Sequence, residues 1–402
     1  MITGISMQPH TGILRCLRQA PRSLADLQAD VQVSLPTLRK AVQDLAEAHW
    51  IRIVGQGETN GGRPPKIYGL DTTYYAIVGV HLQLPGIHLI TTDLSGTILH
   101  ERRRFDEPAS QPGGALAAII DYVHEVRAAL PGRVVLGIGI ASPGFIDPPS
   151  GDILMIGRVP GWENFPICTH LRAALDLPIR IANDIDCMAL AELRSGGLSG
   201  DQHLVYLGFD EGVKASLFLN GALYRGALGN AGLIAGSLLR IPGADAVADP
   251  DALLSIHRVN ALFDERVARQ EPSERAAYAA IRAIDDPRRR FEMILASADE
   301  RHPVCLEVIR LMNRVIAAAV ANLILIVQPH VLVLGGALSA MPPALLADLN
   351  NQIRTCLPAM ISNNLTIRPG ISAANTTAAH GAVHHFLEHY LSDEPDVPLN
   401  LN

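Results

Sequence analysis

Residues 76–104 read AIVGVHLQLPGIHLITTDLSGTILHERRR, and their patterning sets the fold class. The apolar runs AIVGVHL, IHLITTDL and TILHERR predict a meander of strands, with Leu94-Ser95-Gly96 as a turn. Working outward, the pattern predicts a helix from about Pro112 to Ala129 and a strand VVLGIGIAS. A helix near Cys168 to Leu175, a strand PIRIA and a helix from Ile185 to Arg194 follow, so strands and helices alternate as in an α/β domain. The process then restarts. HLVYLGF, VKASLFLN, the turn Asn220-Gly221 and ALYRG predict three more antiparallel strands, helices fill 251 to 328, VLVLGG is a buried strand, and a last helix spans about Thr376 to Leu391. Two similar halves are implied.

Upstream of this region the period is helical. Ile13, Leu14 and Leu17, then Leu24, Leu27 and Val31, then Leu38, Val42 and Leu45 predict three short helices, with Ser23 and Ser34 as N-caps and Pro36 in the third helix's first turn. IRIV, the Gly-rich tip GQGETNGGRPP and KIYGL then form a wing. If Leu38, Ala41, Val42 and Leu45 face inward, then Ser34 at the helix start and Leu35, Thr37, Arg39, Lys40 and Gln43 fall on or near the outer face. That face suits a DNA major groove, although such units also dock proteins. Arg63, held between glycines and prolines, is either an arm for a minor groove or part of a stiff linker.

The bulk properties narrow the partners. The chain has 402 residues, 48% of them hydrophobic, and a net charge of −7, which excludes a polycation that coats nucleic acid or membrane. Residues 1 to 75 nonetheless hold eight Lys/Arg against six Asp/Glu, about +2, which leaves about −9 for the rest, so DNA contact is confined to the N-terminus. The five scattered cysteines suggest neither a disulfide framework nor a zinc knuckle, and point to a reducing cytoplasm. Val315 to Val327, interrupted by Asn322, is short for a membrane span and reads as a core helix. The start MITGISMQPH has no signal-peptide pattern.

Five further stretches carry a resemblance. GIGIASPGFIDPPSG (137–151), PGWENFP (160–166), IANDIDCMALAE (181–192), LYRGALGNAG (223–232) and VLGG (333–336) are similar, in order, to the sugar-domain motifs of the ROK family of repressors and sugar kinases. Leu35-Pro36-Thr37, Asp44-Leu45 and GGRPP resemble the winged-helix segment of its repressor branch. The resemblance implies a winged helix-turn-helix over 1–70 followed by an actin-like (ribonuclease H-like) two-lobed α/β domain. Its small lobe would be 71–195 plus 376–392, and its large lobe 196–375 would carry a dimer interface.

Departures from the family pattern bear on catalysis. Where kinase members have D-x-G-G-T, this chain reads His81-Leu82-Gln83-Leu84-Pro85, and Pro85 has no N–H to offer a phosphate. The second phosphate loop reads Asp210-Glu211-Gly212-Val213-Lys214, which predicts carboxylates repelling a polyanion. The family's zinc-site His is replaced by Gly236, and no cysteine lies between Cys187 and Cys305, so no metal or cofactor is expected. In the implied sugar site, Asn183 and Asp184 match the family's Asn-Asp pair and Ser142 lies in the first motif. Leu233 replaces a Glu, and Arg158 stands where an Asn is usual. On position alone, Asp184 reads first as a cap on a helix opening at Ile185, a reading that the family match outweighs, and Arg158 reads equally as a surface ion-pair partner.

The resulting expectation is a cytoplasmic, non-enzymatic regulator, binding a double-stranded operator as a homodimer or dimer of dimers, with no membrane partner. A small carbohydrate-like effector, such as a sugar phosphate or sugar acid, would be held by Ser142, Arg158, Asn183 and Asp184. The alternatives are a sugar kinase with a divergent ATP site and a regulator controlled by a protein partner.

Overall fold

Each N-terminal helix begins where the sequence places a cap. In the computed structural model, which describes residues 9–58, 64–84, 86–104, 111–157, 159–195, 202–210, 212–234, 239–240, 247–248, 254–371 and 378–392, α1 spans Pro9–Leu17, α2 Leu24–Val31 and α3 Leu35–Glu47. Ser23 and Asp26 form a reciprocal capping box at α2, and the Ser34 hydroxyl accepts the Thr37 N–H at α3. Strands β1 (Ile51–Gln56) and β2 (Lys66–Leu70) pair antiparallel as a hairpin, and Arg22–Ser23 adds a short third strand beside β2.

Two sheets of matching topology follow. In the first, β3 (Tyr75–Gln83), β4 (Gly86–Thr92) and β5 (Ile98–Arg104) form the antiparallel meander, while β6 (Val134–Ser142) and β7 (Ile179–Asn183) add in parallel, giving the order β7-β6-β3-β4-β5. Helices α4 (Pro112–Ala129) and α5 (Ile167–Leu175) link the parallel strands, and α6 (Asp184–Ser195) leaves β7 directly. The second sheet repeats this plan with β8 (Leu204–Phe209), β9 (Val213–Leu219), β10 (Ala222–Tyr224), β11 (Val331–Gly336) and β12 (Thr366–Pro369) in the order β10-β9-β8-β11-β12. The β9–β10 turn is Asn220-Gly221, with φ of 53° and 73°, the two positive values a tight hairpin turn requires.

The described chain divides into two compact units, Met1–Cys187 with Thr377–Asn402, and Met188–Thr376. The core of the second unit is built on α7 (Ile256–Ala268), α8 (Pro287–Asp299), α9 (Pro303–Val327) and α10 (Pro343–Thr355). Although α9 is long and apolar enough to cross a membrane, Val315, Ile316 and Val320 are buried in this core as the sequence predicts, whereas Leu325 and Ile326 in its last turn, expected to be buried with them, are exposed.

In the first unit the helical segment and the first sheet share one core. Ile13, Leu14, Leu27, Leu38, Leu45 and Trp50 form one buried cluster with Tyr75 and Ile77 of β3 and with Val383, Phe386 and Tyr390 of the last helix, α11 (Ala378–Tyr390). Helix α11 lies close on the sheet because glycines face it: a Cβ at Gly139 would stand 2.0 Å from the Ala382 carbonyl oxygen, and one at Gly79 2.4 Å from that of Ala379. The opposite side of the sheet packs Val78, Val80 and Ile140 against α4 and α5 through Tyr122, Val123 and Leu171. Sequence patterning does not reveal the two-stranded element Phe145–Ile146/Ile153–Met155, the helix α10 or the strand β12.

Candidate functional site

On α3, Leu38, Ala41, Val42 and Leu45 are buried, whereas Ser34, Thr37, Arg39, Lys40 and Gln43 are exposed and Leu35 is half-buried. This is the division the helical period predicts. The Ser34 and Thr37 hydroxyls lie 2.7 Å apart at the helix start, and Gln43 donates to Glu47 on the same helix at 2.8 Å. Arg63 lies outside the described residues.

Between the C-terminal half of α3 and the hairpin runs an open groove of about 470 Å³. Arg39, Gln43 and Val42 line it from the helix, Arg52, Ile53 and Lys66 from the strands, and His49 and Asp71 from the connecting turns. His49 adopts a left-handed backbone (φ 58°), stacks on Tyr74 at 4.3 Å and points Nδ1 toward Asp71 Oδ2 at 3.9 Å. Arg52 and Lys66 flank the Gly-rich tip in sequence, and no motif or helical period singles out either. The available signal was their position at either end of the wing, but only the pairing register brings them to one groove.

The second group sits at the carboxyl ends of the parallel strands β6 and β7, where ligands of open α/β sheets commonly bind. Ser142 and Asn183 are register partners across the two strands. Ser142 is fully buried and its hydroxyl donates to the Pro143 carbonyl at 3.0 Å. Asn183 donates its amide to the Gly144 carbonyl at 3.2 Å, while its Oδ1 accepts the Ile185 N–H at 3.1 Å. The same N–H also reaches Asp184 Oδ1 at 2.8 Å; because α6 opens at Asp184 itself, the flanking Asn183 is in the capping position and Asp184 is the first helical residue, not a cap on a helix opening at Ile185. The half-buried carboxylate of Asp184 in the first turn of a helix suits a hydroxyl-bearing ligand. Trp162 of the PGW stretch is fully buried and packs edge-on against Phe165, a structural anchor for this end of the sheet. Arg158 lies outside the described residues, as do Pro85, Glu211 and Gly236.

At the first phosphate-loop position, His81 is buried at the end of β3 opposite His88, which itself bonds Glu101 at 2.9 Å. The second loop departs from the simple expectation of carboxylate repulsion. Arg288 of α8 holds the Asp210 carboxylate at 3.1 Å, so this acid is partly neutralised by a partner remote in sequence. Leu233, at the position of the family's Glu, is about half exposed.

A model of the ROK family matches residues 77–239 and 273–388, more than half of the chain. The chain belongs to the ROK family. The ROK match begins at the first sheet, after the helical segment and its wing. A putative xylose repressor from Caldicellulosiruptor sp. (strain Rt8B.4) is 25% identical over 342 residues, covering 81% of this chain and 82% of that protein. The crystal structure of a ROK family transcriptional regulator, described as a homologue of the E. coli MLC protein, superposes with a TM-score of 0.79 at 20% identity. It covers 96% of this chain and 97% of its own. A putative sugar kinase from Cytophaga hutchinsonii superposes with a TM-score of 0.64 at 19% identity, covering 78% of this chain and all of its own. The structural likenesses establish the two-sheet ROK fold with its N-terminal helical segment.

Proposed function

We propose that this ROK chain is a sugar-responsive transcriptional repressor that binds double-stranded operator DNA through residues 1–70 and does no catalysis. The observation that carries the reading is the outer face of α3. Arg39 and Lys40 are exposed there without an ion-pair or hydrogen-bond partner among the described residues, beside a hydroxyl-capped helix start suited to a phosphate. The similarity to a putative xylose repressor along four-fifths of both chains supports it.

In this reading the carbohydrate effector is held at Ser142, Asn183 and Asp184, and an anionic sugar, paired with Arg158, is the favoured class. The chain acts in the cytoplasm, in keeping with its five free cysteines, and as a homodimer whose symmetry matches a palindromic operator. The absence of catalysis is supported by His81-Leu82-Gln83-Leu84 in place of a glycine-rich phosphate loop.

The test is a gel shift with DNA upstream of the chain's own gene, with and without sugars and their phosphates or acids. Retarded DNA that a sugar-class ligand releases is the expected result. Retardation that survives deletion of residues 1–70 overturns the assignment of DNA binding to the winged segment.

A further inference from the structure

The groove between α3 and the β1–β2 hairpin is more cationic than its position requires. Arg39, Arg52 and Lys66 converge on it, and none has an ion-pair or hydrogen-bond partner among the described residues. Other surface guanidinium groups do find acids: Arg102 bonds Glu125 at 2.8 Å, and Arg258 bonds Glu265 at 2.7 Å. The one carboxylate lining the groove, Asp71, is engaged internally, accepting the Thr73 N–H at 2.9 Å and the Thr73 hydroxyl at 2.6 Å. Among the described residues, three uncommitted cations therefore face one satisfied acid, an arrangement that suits an external anion.

The walls between these cations are apolar. Val42 and Ala46 on the helix and Ile51, Ile53 and Tyr68 on the hairpin line the groove, and Ile53 is about half exposed. An anion alone would leave that surface wet. A sugar–phosphate chain satisfies both features, with phosphates on the cations and deoxyribose carbons on the apolar strip. Such a strip also excludes water and strengthens the charge interactions beside it.

Geometry places such a chain there. An α-helix with its side chains is about 10–12 Å across and the B-DNA major groove about 12 Å wide, so a helix docked in that groove has a phosphate backbone along each flank. One flank of α3 is the groove with the hairpin as its far wall.

We propose that this groove seats the sugar–phosphate backbone of one DNA strand, with Arg52 and Lys66 of the hairpin and Arg39 of the helix contacting phosphates and His49 donating from the floor. The inference rests on the DNA-binding reading above and adds residues to it. These contacts position the protein and carry no base information.

Binding of the full-length chain to two labelled duplexes of equal length, its own upstream DNA and a scrambled sequence, is measured by anisotropy over a salt series. Removing two phosphate contacts in the Arg52→Ala/Lys66→Ala double variant weakens both duplexes alike, by about tenfold. It also makes the slope of log affinity against log salt shallower by about 1.8. The charge-keeping variants Arg52→Lys and Lys66→Arg retain the wild-type slope, and melting curves confirm that each variant is folded. Wild-type binding with an unchanged slope in the double variant overturns this inference and leaves the DNA-binding reading standing. A wild-type chain that binds neither duplex overturns both.

Discussion

The Tyr75 hydroxyl donates a 2.9 Å hydrogen bond to the Ala48 carbonyl, tying the first strand of the first sheet to the C-terminal cap of α3. Around this bond Trp50 packs tilted against Tyr75 at 4.6 Å and approaches Tyr390 at 5.9 Å, and Arg15 donates from α1 to the Leu391 carbonyl at 3.1 Å. The helix proposed to meet DNA is thus fixed to the α/β sheet and its C-terminal helix by a buried aromatic seam. Burial pushes the Tyr75 phenol up to about 12, so it remains a donor at any physiological pH.

Tyr75→Phe removes that donor and leaves the Ala48 carbonyl without its side-chain partner. We expect a loss of about 1–3 kcal/mol of stability, read as a lower urea midpoint, while the larger Trp50→Ala truncation costs about 3–5 kcal/mol. Equal midpoints for wild type and Trp50→Ala would show that the seam is not cooperative with the fold.

Close approach of α11 makes a second prediction. A Cβ at Gly381 would lie 1.7 Å from the Cys187 carbonyl oxygen, and one at Gly139 2.0 Å from that of Ala382. Backbone rather than a flexible side chain is in the way, so Gly139→Ala and Gly381→Ala each cost at least about 1–3 kcal/mol. By contrast Gly132, with open space around its Cβ position, tolerates alanine, and calorimetric melting of the three variants checks the ranking.

The buried imidazoles predict an acid-sensitive fold. Burial lowers the pKa of His88 and of His380, against the opposing pull of Glu101 on His88 and of the Gly96 carbonyl on His380. A folded-state pKa below the unfolded value means the unfolded chain binds more protons as pH drops. Stability is therefore unaffected well above pH 6.5 and falls progressively below it. His380→Gln should flatten the decline in melting temperature between about pH 6.5 and 5. An identical decline in the variant would assign it to the carboxylates.

At the proposed ligand site, Asp184→Asn keeps an Oδ1 acceptor for the Ile185 N–H but removes the negative charge. In a thermal-shift screen of neutral sugars beside their phosphates and acids, we expect the wild type to respond to one class. The variant should lose that response by roughly 0.5–1.5 kcal/mol or more, with DNA binding unchanged. A full response in Asp184→Asn removes this residue from the site.

Calorimetry with Mg-ATP should give no isotherm at millimolar nucleotide, and hexoses should elicit no ADP. The readout matters because Arg288 partly neutralises Asp210, which weakens the charge argument and leaves the loss of the first phosphate loop as the stronger ground. Sugar-dependent ADP release above an Asp184→Ala control would instead favour a kinase.

What the sequence determined by itself was local and periodic. Apolar spacing located α1 to α3 and their caps because one buried stripe recurs with the helical period, and the same stripe left Arg39 and Lys40 facing out. The two meanders were legible because β-rich runs end in turn residues such as Asn220-Gly221, whose backbone few other pairs can adopt. Asn183 and Asp184 stood out by motif, although only the strand register placed Ser142 beside Asn183. Tertiary structure alone decided three further matters: that Arg52 and Lys66 share a groove with Arg39, that Arg288 reaches Asp210 across 78 positions, and that Trp50, Tyr75 and Tyr390 form one core. Each joins residues far apart in the chain. A pattern of neighbours records the face a side chain shows, while the partner on that face depends on how strands pair and helices pack, which no local period encodes.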